Sequence, residues 1–273
     1  MHLGRLIAFT LALSASAFAV EKKKPSKAEH AAAETHIKEE LGVNQFTAPS
    51  IETLLTALRE LHPVSYDAVA RDLPTQNAPD RARLALSTGA VIADGFLAVI
   101  AEKQSRIEPI GRVLLRQAKG LGVGEHITRH SRSILEKAGG KDWEGVRTEL
   151  IGTQRDVEQG MLALKDEEIA HLVSLGGWWR GLEITAGIVA EHYTPERAAL
   201  LIQPSVLDYF ADRISTLSPT FKKTKLWLTL DTNLREARRI VAKEDRSAPT
   251  KDEVLKLHTL AKTTNDALAT TEE

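Results

Sequence analysis

Two spacings in this sequence match those of metal ligands. His126 and His130 are four residues apart, so on a helix both rings share one face, as paired zinc-binding histidines do. Only Glu125 stands beside them, and it points elsewhere around the helix. Glu168-Ile-Ala-His171 has the Glu-x-x-His spacing of di-iron carboxylate bundles, which need a second copy and two further inward Glu. The chain has no second copy, so no metal site and no cofactor is expected. Other chemistry is missing outright. There is no Cys to serve as a thiol nucleophile, no G-x-S-x-G elbow, no Walker A loop and no dinucleotide fingerprint. The run Gly120-Leu-Gly-Val-Gly124 follows no strand and holds no Lys suited to a phosphate loop, and it reads as a linker between helices. No catalytic residue is assigned.

What stands out instead is charge in apolar surroundings. Leu84 to Ala101 carries a single charge, Asp94. A second apolar segment, from about Ile169 to Ala190, holds His171, Arg180 and Glu183. The first segment is long enough to span a membrane, but it is rich in Ala, Gly, Ser and Thr. Asp94 would also cost about 2.5–3.5 kcal/mol near a bilayer centre. A helix apolar nearly all round is equally the buried centre of a soluble bundle, and that reading is preferred. A buried charge then needs a partner, and Arg180 is the first candidate for Asp94. Such a pair is first of all a packing or register device. The string Gly176-Gly-Trp-Trp-Arg-Gly181 admits two readings. Trp178 and Trp179 either fill the core at a helix kink or wall a ligand pocket in which Arg180 holds a carboxylate or phosphate.

The elements that must position these residues are helices. No segment alternates with period two, and no Asn-Gly or Asp-Gly turn joins strand-like runs. Capping residues, Pro and Gly mark a helix from Ser50 to Leu61, a short one from Ser65 to Leu73, and a turn at Asn77 to Asp80. Pro109 is read as opening a helix to about Lys119, and Glu125 to Ala138 follows. Asp142 caps a helix whose apolar positions Trp143, Leu150, Val157 and Leu164 recur every seven residues. Thr194-Pro195 starts another, which Pro204 kinks or splits. Pro219 opens the next, with Leu226, Leu230, Leu234, Ala237 and Val241 on one face. Thr250-Lys-Asp-Glu253 is a capping box before a short, poorly apolar final helix. The expectation is an all-α array of roughly nine to ten helices.

A shift of 86 residues brings Asp80 onto Asp166, Gly95 onto Gly181, Pro109 onto Pro195 and Asp94 onto Arg180. Leu86, Leu114, Leu115, Gln117 and Leu121 meet identical residues at Leu172, Leu200, Leu201, Gln203 and Leu207. Leu is common and helical units share capping Asp and Pro, so this similarity leaves both coincidence and two related helical units open.

Composition sets the outer bounds. A chain of 273 residues with 42% apolar and 27% charged residues is ordinary globular material. A net charge of −1 supplies no field for nucleic acid or a charged membrane surface. Arg5, the apolar stretch from Leu6 to Phe18 and Ala17-Phe18-Ala19 have the form of a signal peptide cleaved after Ala19. Residues 20–48 are a charged lead-in, 49–245 the helical globular domain, and 246–273 a linker with a short helix. An exported chain without cysteine suits a bacterial periplasm. The leading expectation is a non-enzymatic scaffold that acts through a protein partner or self-association. The other is a small-molecule binder or enzyme with a pocket between the helices carrying Asp94 and Arg180.

Overall fold

A computed structural model describes residues 58–61, 64–243 and 247–269. The signal segment, the lead-in and most of the helix expected from Ser50 lie outside the described residues. Ten α-helices and one 3-10 turn follow in chain order, with no strand among the described residues. They are α1 Tyr66–Val69, α2 Arg81–Ile100, α3 Gln104–Leu121, α4 Gly124–Gly139, α5 Trp143–Ala163 and α6 Glu167–Glu191. After these come α7 Pro195–Ala199, α8 Pro204–Ser215, the turn Phe221–Lys223, α9 Lys225–Val241 and α10 Lys251–Ala269. The fold is all-α.

The two apolar segments form the centre. Every residue of α2 from Leu84 to Val99 is buried, Asp94 included. Along α6 all residues between Ile169 and Val189 are buried except His171 and Gly187. By length and apolarity α2 alone among the described helices qualifies to cross a membrane, but 94% of that stretch is covered by protein. The two helices run parallel. Arg81 at the start of α2 pairs with Asp166, the residue preceding α6, and further along Asp94 pairs with Arg180. Glycine permits their closeness. A Cβ at Gly89 would lie 1.8 Å from the Val173 carbonyl oxygen, and one at Gly176 would lie 2.0 Å from that of Leu86. The backbones therefore touch, which no larger residue allows.

The remaining helices wrap this pair. α3 packs on α2, α4 on α3 and α5, and α5 returns to α2 and α6. α10 lies antiparallel along α6: Glu183 meets Asn265, Gly187 meets His258, and the Tyr193 hydroxyl donates to the Pro249 carbonyl. Asp94 and Arg180, aligned by the 86-residue shift, are in contact across α2 and α6. Further along, the aligned prolines differ in setting, because Pro109 lies inside an 18-residue helix and Pro195 begins one of five residues.

Local signals place many boundaries. Asp80, Asp142, Thr194 and Thr224 each accept a backbone N–H at the start of a helix. In the capping box Thr250 N donates to Glu253 and Glu253 N to Thr250 Oγ1. Several expectations need correction. The helix from Ser65 stops at Val69, and the chain is irregular to Asp80 because Arg106 and Arg116 take the carbonyls of Arg71 and Pro74. α3 begins at Gln104, and Pro109 sits within it at the loss of one bond, to the Ser105 carbonyl. Pro204 splits its segment by starting α8. The helix expected from Pro219 begins only at Lys225, after a 3-10 turn in which buried Phe221 packs against Trp227. Leu164, the fourth of the seven-residue positions, falls just past the end of α5 and is exposed. α10 is 19 residues long and well anchored, since Val254, Leu257, Ala261 and Leu268 are buried on one face.

Candidate functional site

The parallel packing of α2 and α6 brings Asp94 and Arg180 together in the interior. Arg180 Nε donates to Asp94 Oδ1 at 2.8 Å, and the arginine side chain is fully buried. A second nitrogen of Arg180 donates to the Val69 carbonyl at the end of α1. Its Nη1 lies 2.9 Å from Glu183 Oε2, one helical turn on, as a charge contact without hydrogen-bond geometry. Burial alone would pull the guanidinium pKa down, but the carboxylates of Asp94 and Glu183 outweigh it and hold the pKa above the ordinary value.

The pair extends in both directions. Arg71, on the segment after α1, donates from Nε to Asp94 Oδ2 at 2.9 Å. Asn265 on α10 donates from Nδ2 to Glu183 Oε2 at 2.6 Å. The result is one chain of contacts, Arg71–Asp94–Arg180–Glu183–Asn265, with two positive and two negative groups. Nearby His258 packs against Gly187, and burial pulls its pKa below the ordinary value.

Both ends of the chain reach one cavity of about 450 Å³ between the 71–79 segment, the start of α2 and the end of α10. This volume falls within the range of small-molecule sites. Arg71 and Asn265 line it with Arg83, Ser87, Asn77 and Asp72. Asn265 is 2% exposed, and its Oδ1 has no hydrogen-bond partner among the described residues; nor has Nη2 of Arg71. The wall segment is clamped from outside. Arg116 and Asn77 exchange hydrogen bonds of 3.3 Å, and Arg106 Nε donates to the Tyr66 hydroxyl at 2.8 Å. Behind Ser87, Gln117 Nε2 donates to its hydroxyl at 2.8 Å.

The tryptophans do not line this cavity. Trp179 is fully buried, and Trp178 packs against it and against Phe210, with Nε1 donating to Gln203. Arg180 faces Asp94 and Glu183, and Trp178, Trp179 and Arg180 are all buried, the setting expected of core-filling side chains. The metal spacings come apart in space. Glu168 accepts from Ser218 N, whereas His171 Nδ1 lies 3.0 Å from the Tyr209 hydroxyl. His130 sits between two acids, with Nδ1 2.7 Å from Glu149 and Nε2 3.1 Å from Asp156. Acids at opposite ring nitrogens do not converge on one point as metal ligands must. The His126 side chain lies outside the described residues. Among the described residues no three His, Asp or Glu form a metal-holding group.

Sequence reading passed over Arg71 and Asn265. Asn265 left a trace, since it falls four residues after Ala261 and three before Leu268 on the buried face of α10. A polar residue at a core position of an amphipathic helix is such a signal. Arg71 left none. Comparison with known proteins returns no match to any family model, curated protein or solved structure.

Proposed function

We propose that this chain binds a small polar molecule in the cavity between the 71–79 segment and α10, and that it does so as a binding protein rather than an enzyme. One observation carries the reading: a cavity of about 450 Å³ is lined mainly by polar residues, Arg71, Asp72, Asn77, Arg83, Ser87 and Asn265 among them. A concave site of this size with converging polar groups favours a small polar ligand. Of the lining groups that could act as base or nucleophile, the Ser87 hydroxyl accepts from Gln117 and Asp266 pairs with Lys262, and no His stands on the lining to activate a hydroxyl, which favours binding over catalysis. The export signal read in residues 1–19 would set this binding outside the cytoplasm. A protein-docking scaffold has less to rest on. The exposed large apolar side chains Leu135, Leu164, Leu228 and Leu255 lie on four separate parts of the chain, and scattered exposed leucines are ordinary surface.

The test is equilibrium dialysis of the full chain against a metabolite extract, with mass spectrometry of what the protein retains. Ala78→Trp, on the cavity wall, serves as the plugged control. Retention of one or a few polar compounds by the wild type and not by the control is the expected result. No retention, or equal retention by both proteins, would overturn the proposal.

A further inference from the structure

A second cavity, of about 210 Å³, opens between α3 and α4 and shares no residue with the first. Its walls follow from one spacing. On α3, Ile107, Gly111, Leu114 and Leu115 fall at i, i+4, i+7 and i+8, and on α4 Ile127, Ser131, Ile134 and Leu135 repeat that spacing. Each set lies on one helix face. The second position of each set is small, so aliphatic side chains stand around a gap. Gly111 marks that gap. Beyond its own turn of helix, a Cβ placed there would meet no described atom within 4 Å, whereas one at Gly89 or Gly176 would collide with backbone. Close packing among the described residues therefore does not require Gly111, although glycine inside a helix is destabilising. Pro109, two residues earlier, weakens the same stretch of α3. Such departures from local stability concentrate at functional sites.

The polar groups of the lining are already engaged. Ser131 Oγ donates to the Ile127 carbonyl at 3.1 Å, and Thr153 Oγ1, from α5, donates to the Glu149 carbonyl at 2.8 Å. Glu108 and Arg112 pair with each other. What remains for a ligand is aliphatic carbon, and no aromatic ring lines the groove to favour a planar one. The volume exceeds the roughly 150 Å³ of an apolar cavity that stays dry and takes up benzene. Leu135 is 46% exposed, so the groove meets solvent on that side. We propose that this groove is a second binding site, independent of the polar cavity, and that it takes the aliphatic chain of a small free molecule.

The experiment is calorimetric titration of the full chain with butan-1-ol, hexan-1-ol and octan-1-ol. Affinity is expected to rise by up to about four-fold for each methylene that the groove buries. Gly111→Leu fills the groove from α3. No described atom stands in its way and leucine favours helix, so the variant is expected to fold with an unchanged or higher melting temperature. It is expected to lose hexan-1-ol binding by about ten-fold or more, since its side chain takes the ligand's place. Ala78→Trp, which plugs the polar cavity, is expected to bind the alcohols as the wild type does. No saturable binding by the wild type, or equal binding by a folded Gly111→Leu, would overturn the proposal. The alcohol series tests the wild-type chain, so affinity that does not change with chain length overturns it even if the variant fails to fold. Sedimentation tests the rival occupant: a wild-type dimer that Gly111→Leu abolishes would assign the groove to a second copy of this chain and overturn the proposal.

Discussion

Replacing Asp94 by Ala removes the middle of the buried contact chain. Asp94 neutralises two arginines, Arg180 through Oδ1 and Arg71 through Oδ2. Its side chain is 6% exposed and that of Arg180 is not exposed at all, so water cannot replace the lost carboxylate. Arg180 would keep Glu183 and the Val69 carbonyl, and Arg71 would lose its only ion pair among the described residues. Breaking a buried pair by removing one partner costs about 3–5 kcal/mol. That is a large fraction of the roughly 5–15 kcal/mol that stabilises a typical domain. For a domain of this size the melting temperature falls by about 2–4 °C per kcal/mol, so the expected drop is about 6–20 °C. Urea and thermal unfolding followed by far-ultraviolet circular dichroism measure it. Asp94→Asn, which keeps the shape and one acceptor but loses the charge, should fall between. Asp231→Ala, which breaks the exposed pair with Arg235, provides the contrast and should change stability by less than about 1 kcal/mol. If Asp94→Ala were no more damaging than Asp231→Ala, the argument from desolvated charge would be refuted.

Two further predictions concern the scaffold. Gly89→Ala should destabilise the fold by about 3 kcal/mol, because its Cβ would strike the α6 backbone. Gly95→Ala should change stability by no more than about 1 kcal/mol, since its Cβ would meet only Leu150 and Ile110 side chains at 3.5–3.7 Å; equal losses in urea midpoints would contradict the close approach of α2 and α6. His171 governs part of the pH dependence. Burial, with a smaller push from Arg213, lowers its pKa from 6.5 to about 4. Between these values the unfolded chain binds the proton and the folded chain does not, so stability is intact above pH 6.5 and is lost as pH falls towards 4. The loss should be on the order of 1–2 kcal/mol after solvent screening, and His171→Asn should remove that part of the profile. An NMR titration placing the His171 midpoint near 6.5 would contradict it.

Helix was legible residue by residue because its determinants are local. Asp80, Asp142, Thr194 and Thr250 cap the helices that follow them, since a side-chain oxygen reaches a backbone N–H three residues on whatever the rest of the chain does. The charges at Asp94 and Arg180 stood out for the same reason, as departures from an apolar run. Where tertiary partners outbid local signals the sequence misled. Arg106 and Arg116 hold the segment after Val69 out of helix, and Phe221 draws the chain into a turn before α9. The apolar face of α10 was underrated because it is thin, and it becomes decisive only against α6.

The sequence by itself determined that the chain is helical, where most helices begin, and that Asp94 and Arg180 need partners. Tertiary structure alone decided that Trp178 and Trp179 fill core while Arg71 and Asn265 reach a cavity. The physical reason is range. Caps and periodicity report geometry within a few residues, whereas the contact chain joins α2, α6, α10 and the segment after α1, and its order depends on how those elements pack.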